Sequence, residues 1–505
     1  VTTSTLERPL LAVQRRASVR LAVLLGAIGA AVSMLGSWIP SLWGDEAASM
    51  LSAIRPVSTL WPMLLHVDAV HGTYYLGLHF WTLVFGTSPF ALRFPSAIAV
   101  GAGVAAMVLL AERLDGRRLG VVAGLVYAIL PRVTSMGQEA RSYAFSAAIA
   151  IWLTLLLVII LQRRGSTRRL WIAYTALLAA GIYVFLYVAL IAIAHLAVIL
   201  LREDRRALAR SWVKAFGIAV ACALPLLAVA ILEHGQIAYL GTRAEVTFPT
   251  LAVSLWFGTT TFAVAAWALI LAGAAMFARD VVRRRERLLA GPGSAPPAFA
   301  VAILSLLVPS VLLVGSHFLV PDFTARYLSM CAPAAALVMA VAIMRLTRGR
   351  IPLVAVVLAL VGALAFPVWL SQRGPNSKNN SDWAQISQVI GANAARGDAV
   401  AFDASVRPSR LPRLAMRTYP DGFAGLKDVT LRTPYYAGTS WHDTQYSIPD
   451  AASLGRFSGV NTVWLIEYAT PAHTDTYGVA DLEKVGFHWV ESIRDYRSVV
   501  LEFTR

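Results

Sequence analysis

The sequence predicts an all-α polytopic membrane protein of about eleven transmembrane helices, followed by a C-terminal extracytoplasmic α/β domain. Three observations lead there. Of the 505 residues, 57% are hydrophobic and 14% charged, where soluble domains carry about 25% charged residues. Apolar runs long enough to span a bilayer recur as far as residue 371. Arginine clusters fall between alternate runs, as the cytoplasmic loops of membrane proteins do.

The first run, 21–40, follows Arg15, Arg16 and Arg20. At about 20 residues it matches a spanning helix better than a cleavable signal segment, so it is read as an uncleaved first span. Further runs lie at 96–112, 119–134, 142–162, 212–232, 258–278, 298–318, 327–344 and 351–371. The run 170–201 is too long for one helix at about 1.5 Å per residue. It is divided into a hairpin turning near Phe185-Leu186-Tyr187. The clusters at Arg113/Arg117/Arg118, Arg163/Arg164/Arg168/Arg169, Arg202/Arg205/Arg206/Arg210, Arg283/Arg284/Arg285/Arg287 and Arg345/Arg348/Arg350 then share one side with the N-terminus. The positive-inside rule makes that side cytoplasmic. Without the hairpin, half the clusters would lie outside. The segments 41–95, 135–141, 233–257 and 317–326 become extracytoplasmic, and the chain divides into a membrane domain, 1–371, and an outer domain, 372–505.

In the outer domain, Ser381-Asp382 is expected to cap a helix reaching about Ala395, with apolar positions at Trp383, Ile386, Val389 and Ile390. Strands are expected at 399–402, 462–466 and 498–503. The loop 41–95 is not polar filler. Its stretches 61–65 and 74–81 are amphipathic and aromatic, as in segments that lie in the membrane interface.

Composition also excludes function classes. The net charge of +16 sits in the inter-helix arginine clusters, which suits anionic lipid and not nucleic acid. Both cysteines, Cys222 and Cys331, lie inside apolar runs, so neither a disulfide nor a structural zinc site is expected outside the membrane. No nucleotide-cradling glycine motif appears on the inner side.

Ionisable residues gather instead on the outer face. Asp45 and Glu46 follow the first span, and Asp45 suits either a helix cap or a base. Glu139 and Arg141, with Tyr143, stand at the outer end of the third span. Arg141 suits an interfacial salt bridge, but on a face so poor in positive charge it fits an anion such as phosphate better. His317, Asp322, Arg326 and Tyr327 form a third cluster, where Arg326 opens a helix and its free N–H groups add to an anion site. Lone histidines such as His66, His71, His79 and His317 are more often loop residues than ligands. Of these, His71 beside Tyr74 reads best as a substrate contact. The His/Asp/Glu set could ligate a divalent metal, but no spacing demands one.

The pair Asp45-Glu46, the element Gln138-Glu139-Ala140-Arg141-Ser142-Tyr143 and Arg326-Tyr327-Leu328 with Pro333 downstream resemble the GT-C superfamily. They are most similar to its family 39-like, polyprenyl-phosphate-sugar-dependent branch of actinobacterial type. Where members of that branch often have Pro-Pro-Leu-Tyr, this chain has Gly72-Thr73-Tyr74-Tyr75. The resemblance implies an inverting transfer of a sugar, mannose first, from a polyprenyl phosphate to a hydroxyl of a cell-envelope glycolipid or polysaccharide. It implies Asp45 as general base, Glu46 orienting it, Glu139 positioning Arg141 or a sugar hydroxyl, and Arg141 and Arg326 stabilising the leaving phosphate. His71, Tyr74, Tyr143, His317 and Tyr327 would line the substrates, membrane lipids would surround the helices, and no cofactor is required. Decaprenyl phosphoarabinose as donor and protein as acceptor are alternatives within the class. A transporter or flippase would instead carry charges in mid-span, and a scaffold whose outer domain binds a partner would need neither Asp45 nor Arg326.

Overall fold

The structure is a computed structural model that describes residues 4–242, 245–283, 289–469 and 477–505. Among these, eight helices are long and apolar enough to cross a membrane, and the chain is a multi-pass membrane protein. One of the eight, Pro89–Ile129, is two helices joined at a kink. The break falls at Gly116, whose φ of +83° is left-handed backbone that a side chain would strain. Arg168–Val184 and the shorter apolar stretch Leu186–Leu200 add two more, separated by an extended Phe185. With the kinked helix counted twice, the described residues place helices at the eleven positions where spans were expected, although only eight continuous helices have the length and apolar character to cross.

The chain forms two compact units. The first comprises residues 1–35 and 93–370. Its helices are apolar all round, so burial sorts them. The hydrophobic stretch of Ala325–Leu346 is 89% buried and that of Tyr143–Gln162 72%, whereas Arg205–Leu232 and Ile351–Ser371 are 22% buried and present their sides to lipid. The alanine-rich sequence Ala332–Leu346 explains the central position, since small side chains let neighbouring backbones approach. A hydrogen-bonded polar cluster is buried among these helices. His195 meets Thr154 Oγ1 at 3.0 Å and Tyr174 OH at 2.8 Å. The Thr154 hydroxyl gives its one proton to Ala150 O, so His195 Nε2–H donates to Thr154 and Nδ1 accepts from Tyr174. All three side chains are satisfied.

The second unit joins residues 36–92 to 371–505. The sequence reading grouped 36–92 with the membrane helices; its packing is with the C-terminal domain. A five-stranded sheet of order β2-β1-β5-β7-β6 forms the centre, from β1 (Ala399–Phe402), β2 (Lys427–Asp428), β5 (Thr462–Tyr468), β6 (His488–Arg494) and β7 (Ser498–Thr504). β1 runs parallel to β2 and β5, and β7 antiparallel to β5 and β6. A hairpin-like pair, β3 (Leu431–Thr433) and β4 (Thr444–Gln445), lies apart. The three expected strands are β1, β5 and β7, with Val463, Leu465, Leu501 and Phe503 in the core.

The helix expected after Ser381-Asp382 is Trp383–Asn393, but Asp382 makes no side-chain cap. Its buried carboxylate reaches β7 instead, accepting from Arg497 N (2.7 Å), Ser498 N (2.8 Å) and Ser498 Oγ (2.9 Å). Two backbone donors and a hydroxyl in a dry site outcompete one solvated helix terminus. The loop after the first span folds as helices Gly44–Ile54, Val57–Leu64 and Gly72–Phe85. Phe80, Leu83, Val84 and Phe85 on the last of these are exposed, the apolar face that an interfacial helix needs.

Candidate active site

In the first unit the site grows from a break between spans. The kinked helix ends at Ile129, Leu130 is extended, and Pro131 starts a six-residue helix, Pro131–Met136. A turn over 137–142 then leads into Tyr143–Gln162. That turn is polar yet buried, with Gln138, Glu139, Arg141 and Ser142 all at most 7% exposed. Its backbone is pinned by Ser96 Oγ donating to Glu139 O at 2.6 Å and by Arg141 N donating to the same carbonyl at 2.8 Å.

Arg132, in the short helix, completes the cluster. Its Nε donates to Leu255 O at 2.8 Å and its backbone N to Trp256 O at 3.1 Å. Its guanidinium feels the Glu139 carboxylate, the Arg326 guanidinium and the Tyr143 phenol. Burial, more than repulsion from Arg326, lowers its proton affinity below the ordinary arginine value, while Glu139 works the other way. Arginine starts so high that it stays charged. Glu139 Oε1 is buried with no hydrogen-bond partner among the described residues.

Arg326 opens the turn Ala325–Cys331 that leads into Ala332–Leu346. Its guanidinium carbon lies 6.0 Å from the centre of the Tyr143 ring. Tyr143 stands edge-on to Phe185 at 5.7 Å, and Phe185 and Tyr187 lie 5.8 Å and 5.3 Å from Tyr327. Arg132, Glu139, Tyr143, Arg326 and Tyr327 therefore share one place, two like charges and one opposite beside an aromatic wall. Guanidinium groups in excess of the one carboxylate favour an anion.

His317 takes a local part. Its Nδ1 accepts from Phe323 N at 3.1 Å, closing the loop in which Asp322 accepts from Ser316 and Tyr187. Arg141 is buried beside Glu139 in sequence, with its backbone in the turn.

In the second unit, helix Gly44–Ile54 carries both carboxylates in its first turn. Asp45 is not the cap that the sequence suggested. Trp43 holds that position with φ −129° and ψ 177°, with no side-chain capping bond. Gly44 is the first helical residue, and only glycine fits there, since a Cβ would stand 2.3 Å from Ser409 O. Glu46 is fully buried and Asp45 is half-buried. The helix packs along Gly72–Phe85, pinned by His79 Nδ1–H donating to Ala53 O at 2.6 Å. His71 and Tyr74 are buried at the start of Gly72–Phe85. His71 lies 5.9 Å from the ring of Tyr75, whose hydroxyl donates to Asp68 at 2.8 Å. Among the described residues no three His, Cys, Asp or Glu side chains gather as metal ligands.

A family model described as dolichyl-phosphate-mannose-protein mannosyltransferase matches residues 73–231. The chain is similar in structure to ArnT from Cupriavidus metallidurans bound to undecaprenyl phosphate, at 14% identity over 95% of this chain and 97% of that one, with a TM-score of 0.57. The chain shares the fold of that structure. This fold extends to the archaeal oligosaccharyltransferase AglB from Archaeoglobus fulgidus in complex with an inhibitory peptide and a dolichol-phosphate, at 12% identity over 90% of this chain and 70% of that one, TM-score 0.51. No curated protein sequence matches the chain.

Sequence reasoning missed Arg132, although the signal was present. The argument that singled out Arg141, a cation on a face otherwise poor in positive charge, applies equally to Arg132. It was hidden because an apolar window absorbs one arginine at its end.

Proposed function

We propose that this protein is a membrane glycosyltransferase that moves a sugar, mannose on our reading, from a polyprenyl phosphate to a hydroxyl of a cell-envelope glycolipid or polysaccharide. The observation that carries this is Arg326 lying 6.0 Å from the Tyr143 ring at the ends of apolar helices, with Arg132 and buried Glu139 close enough to act on each other electrostatically. The guanidinium groups outnumber the Glu139 carboxylate, and this excess of positive charge suits a phosphodiester headgroup. The bound lipids in the ArnT and AglB structures, undecaprenyl phosphate and dolichol-phosphate, support a lipid-phosphate donor.

The chemistry is one inverting displacement. Asp45 takes the proton of the acceptor hydroxyl, and the oxygen attacks the anomeric carbon. The bond from that carbon to the phosphate oxygen breaks, and its electrons stay on the phosphate. The donor headgroup thus goes from a diester of charge near −1 to a monoester approaching −2. Arg132 and Arg326 stabilise the charge that develops, which is where electrostatic catalysis acts. Glu139 holds Arg132 in place, Glu46 orients Asp45 or the acceptor, and Tyr143 and Tyr327 supply a face for the sugar or first isoprene unit. Arg141, His71, Tyr74 and His317 remain assigned as substrate contacts. The step draws on no cofactor. The arginine clusters assign the N-terminus to the cytoplasm and residues 372–505 to the outer side of the plasma membrane.

Purified protein given radiolabelled polyprenyl phosphomannose and a membrane glycolipid extract is expected to yield labelled lipid, and Asp45→Asn to lose about 100-fold or more of that turnover. Wild-type turnover in folded Asp45→Asn protein would remove Asp45 as base. The family description matched over 73–231 favours a second acceptor class, a peptide hydroxyl. A serine- and threonine-rich peptide in the same assay decides between them.

A further inference from the structure

The helix that carries Asp45 is fastened at both ends to the C-terminal domain. At its start, Ser41 N donates to Pro375 O at 2.8 Å, Leu42 N to Tyr419 OH at 2.8 Å, and Ser381 Oγ to Leu42 O at 2.6 Å. Two residues after Leu42, Gly44 rests on the backbone of Ser409, where a Cβ would meet the carbonyl oxygen at 2.3 Å and the carbonyl carbon at 2.9 Å. At the far end Arg55, fully buried, donates through Nη2 to the carbonyls of Tyr435, Gly438 and Ser440. Its Nε and Nη1 are buried with no hydrogen-bond partner among the described residues.

That arrangement is poor as a device for stability. A buried guanidinium facing only carbonyls, with donors left over, is a costly way to join two surfaces that apolar side chains would join better. What it does supply is position. Three carbonyls from one loop gather on one guanidinium nitrogen and fix where the end of the side chain lies, and close contact with Ser409, chiefly its backbone carbonyl, fixes the helix start. Both contacts lie on the helix whose first turn bears the general base, and both partners lie more than 300 residues further along the chain.

We infer that the C-terminal domain is a positioning element of the transfer site: its segments around Ser409 and over 435–440 hold helix Gly44–Ile54 so that the Asp45 carboxylate stands at the acceptor hydroxyl. This rests on Asp45 as the base. Gly44 and Arg55 act through Asp45 and touch no substrate.

The experiment uses the full chain in detergent or nanodiscs, with Gly44→Ala, Arg55→Lys and Asp45→Asn measured side by side. Polyprenyl phosphomannose is the donor and the glycolipid extract the acceptor. In Gly44→Ala the helix start must retreat by about 1 Å, and a misplacement of that size costs about 100-fold in turnover. We expect kcat to fall by about that factor with the donor KM within twofold of wild type. Arg55→Lys, which keeps the charge but puts a compact ammonium on a flexible stem in place of the rigid guanidinium, is expected to fall about tenfold. Hydrogen exchange over 44–54 should quicken in Arg55→Lys while exchange in β1, β5 and β7 stays unchanged. Wild-type kcat in both variants, with Asp45→Asn inactive, would overturn the positioning role and leave the base intact. Unchanged exchange over 44–54 in Arg55→Lys would overturn it as well. Full turnover in Asp45→Asn would overturn the base assignment instead. Should Gly44→Ala not fold, Arg55→Lys carries the same two readouts.

Discussion

Replacing Arg132 by Gln tests the anion site where the structure departs most from expectation. The side chain keeps a planar amide of similar shape and loses its charge. Two costs follow. The bond from Nε to Leu255 O at 2.8 Å is lost, leaving a carbonyl of a buried residue without its donor, about 1–3 kcal/mol of stability. The donor phosphate loses one charged hydrogen-bonding partner, worth about 1.5–3 kcal/mol. At about 1.4 kcal/mol per decade the second cost is a fall of roughly 10- to 150-fold in kcat/KM for the donor. Repulsion between Arg132 and Arg326 is relieved at the same time, which pulls the loss towards the lower figure in the absence of ligand. Arg132→Lys restores the charge without the fork and is expected to recover part of it. The assay is steady-state transfer at varied polyprenyl phosphomannose with the acceptor saturating, alongside thermal unfolding to show that the variant is folded. A folded Arg132→Gln protein with unchanged donor kcat/KM would refute the arginine-pair site.

Other outcomes follow from the same coordinates. Arg413, 2% exposed, donates to Asp428, to Gln445 at 2.9 Å and to Thr430 at 2.6 Å, and stands 4.7 Å over Phe402. Arg413→Met should destabilise the outer domain by about 3–5 kcal/mol by leaving Asp428 unpaired, and adding Asp428→Leu should restore part of it; denaturant unfolding reads both. Burial first, then the Asp382 carboxylate, raises the Asp495 acid above its ordinary value. Stability from its protonated form is therefore present below the unfolded value and lost as pH rises through the folded one. Asp495→Asn should raise the Tm at neutral pH, with the gain fading towards about pH 4; a lower Tm at pH 7 would contradict this. His195→Leu should cost about 1 kcal/mol and leave turnover unchanged, because its ring only joins Thr154 and Tyr174. A large loss of turnover would mark it as part of a proton path.

Much of the membrane unit was legible because hydropathy is a local property. The hairpin needed a second signal, the alternation of arginine clusters, and the helix does break at Phe185. The strands β1, β5 and β7 were likewise visible as short runs of β-branched and aromatic residues. What escaped depends on partners distant in sequence. Asp382 looks like a cap until β7 arrives with two N–H groups. The loop 41–95 looks like an interfacial segment because its amphipathic pattern shows that a face is covered, but not by what. Its packing with 371–505 requires the shape of Ser409 and the carbonyls of 435–440. Among site residues, Arg326 and Tyr143 belong to clusters far apart in sequence yet lie 6.0 Å apart, and Arg132 was hidden in an apolar window.

The second unit is discontinuous, built from 36–92 and 371–505, and this bears on how the chain is made. A ribosome adding about 5–20 residues per second needs roughly 15–60 s to cross the interval between the two pieces. Throughout that time helix Gly44–Ile54 has emerged without its seat, and the Arg55 guanidinium must stay hydrated or held by a chaperone. On the positioning role inferred above, catalytic competence waits for synthesis of the tail, and a chain truncated near residue 371 is expected to insert its spans without turning over.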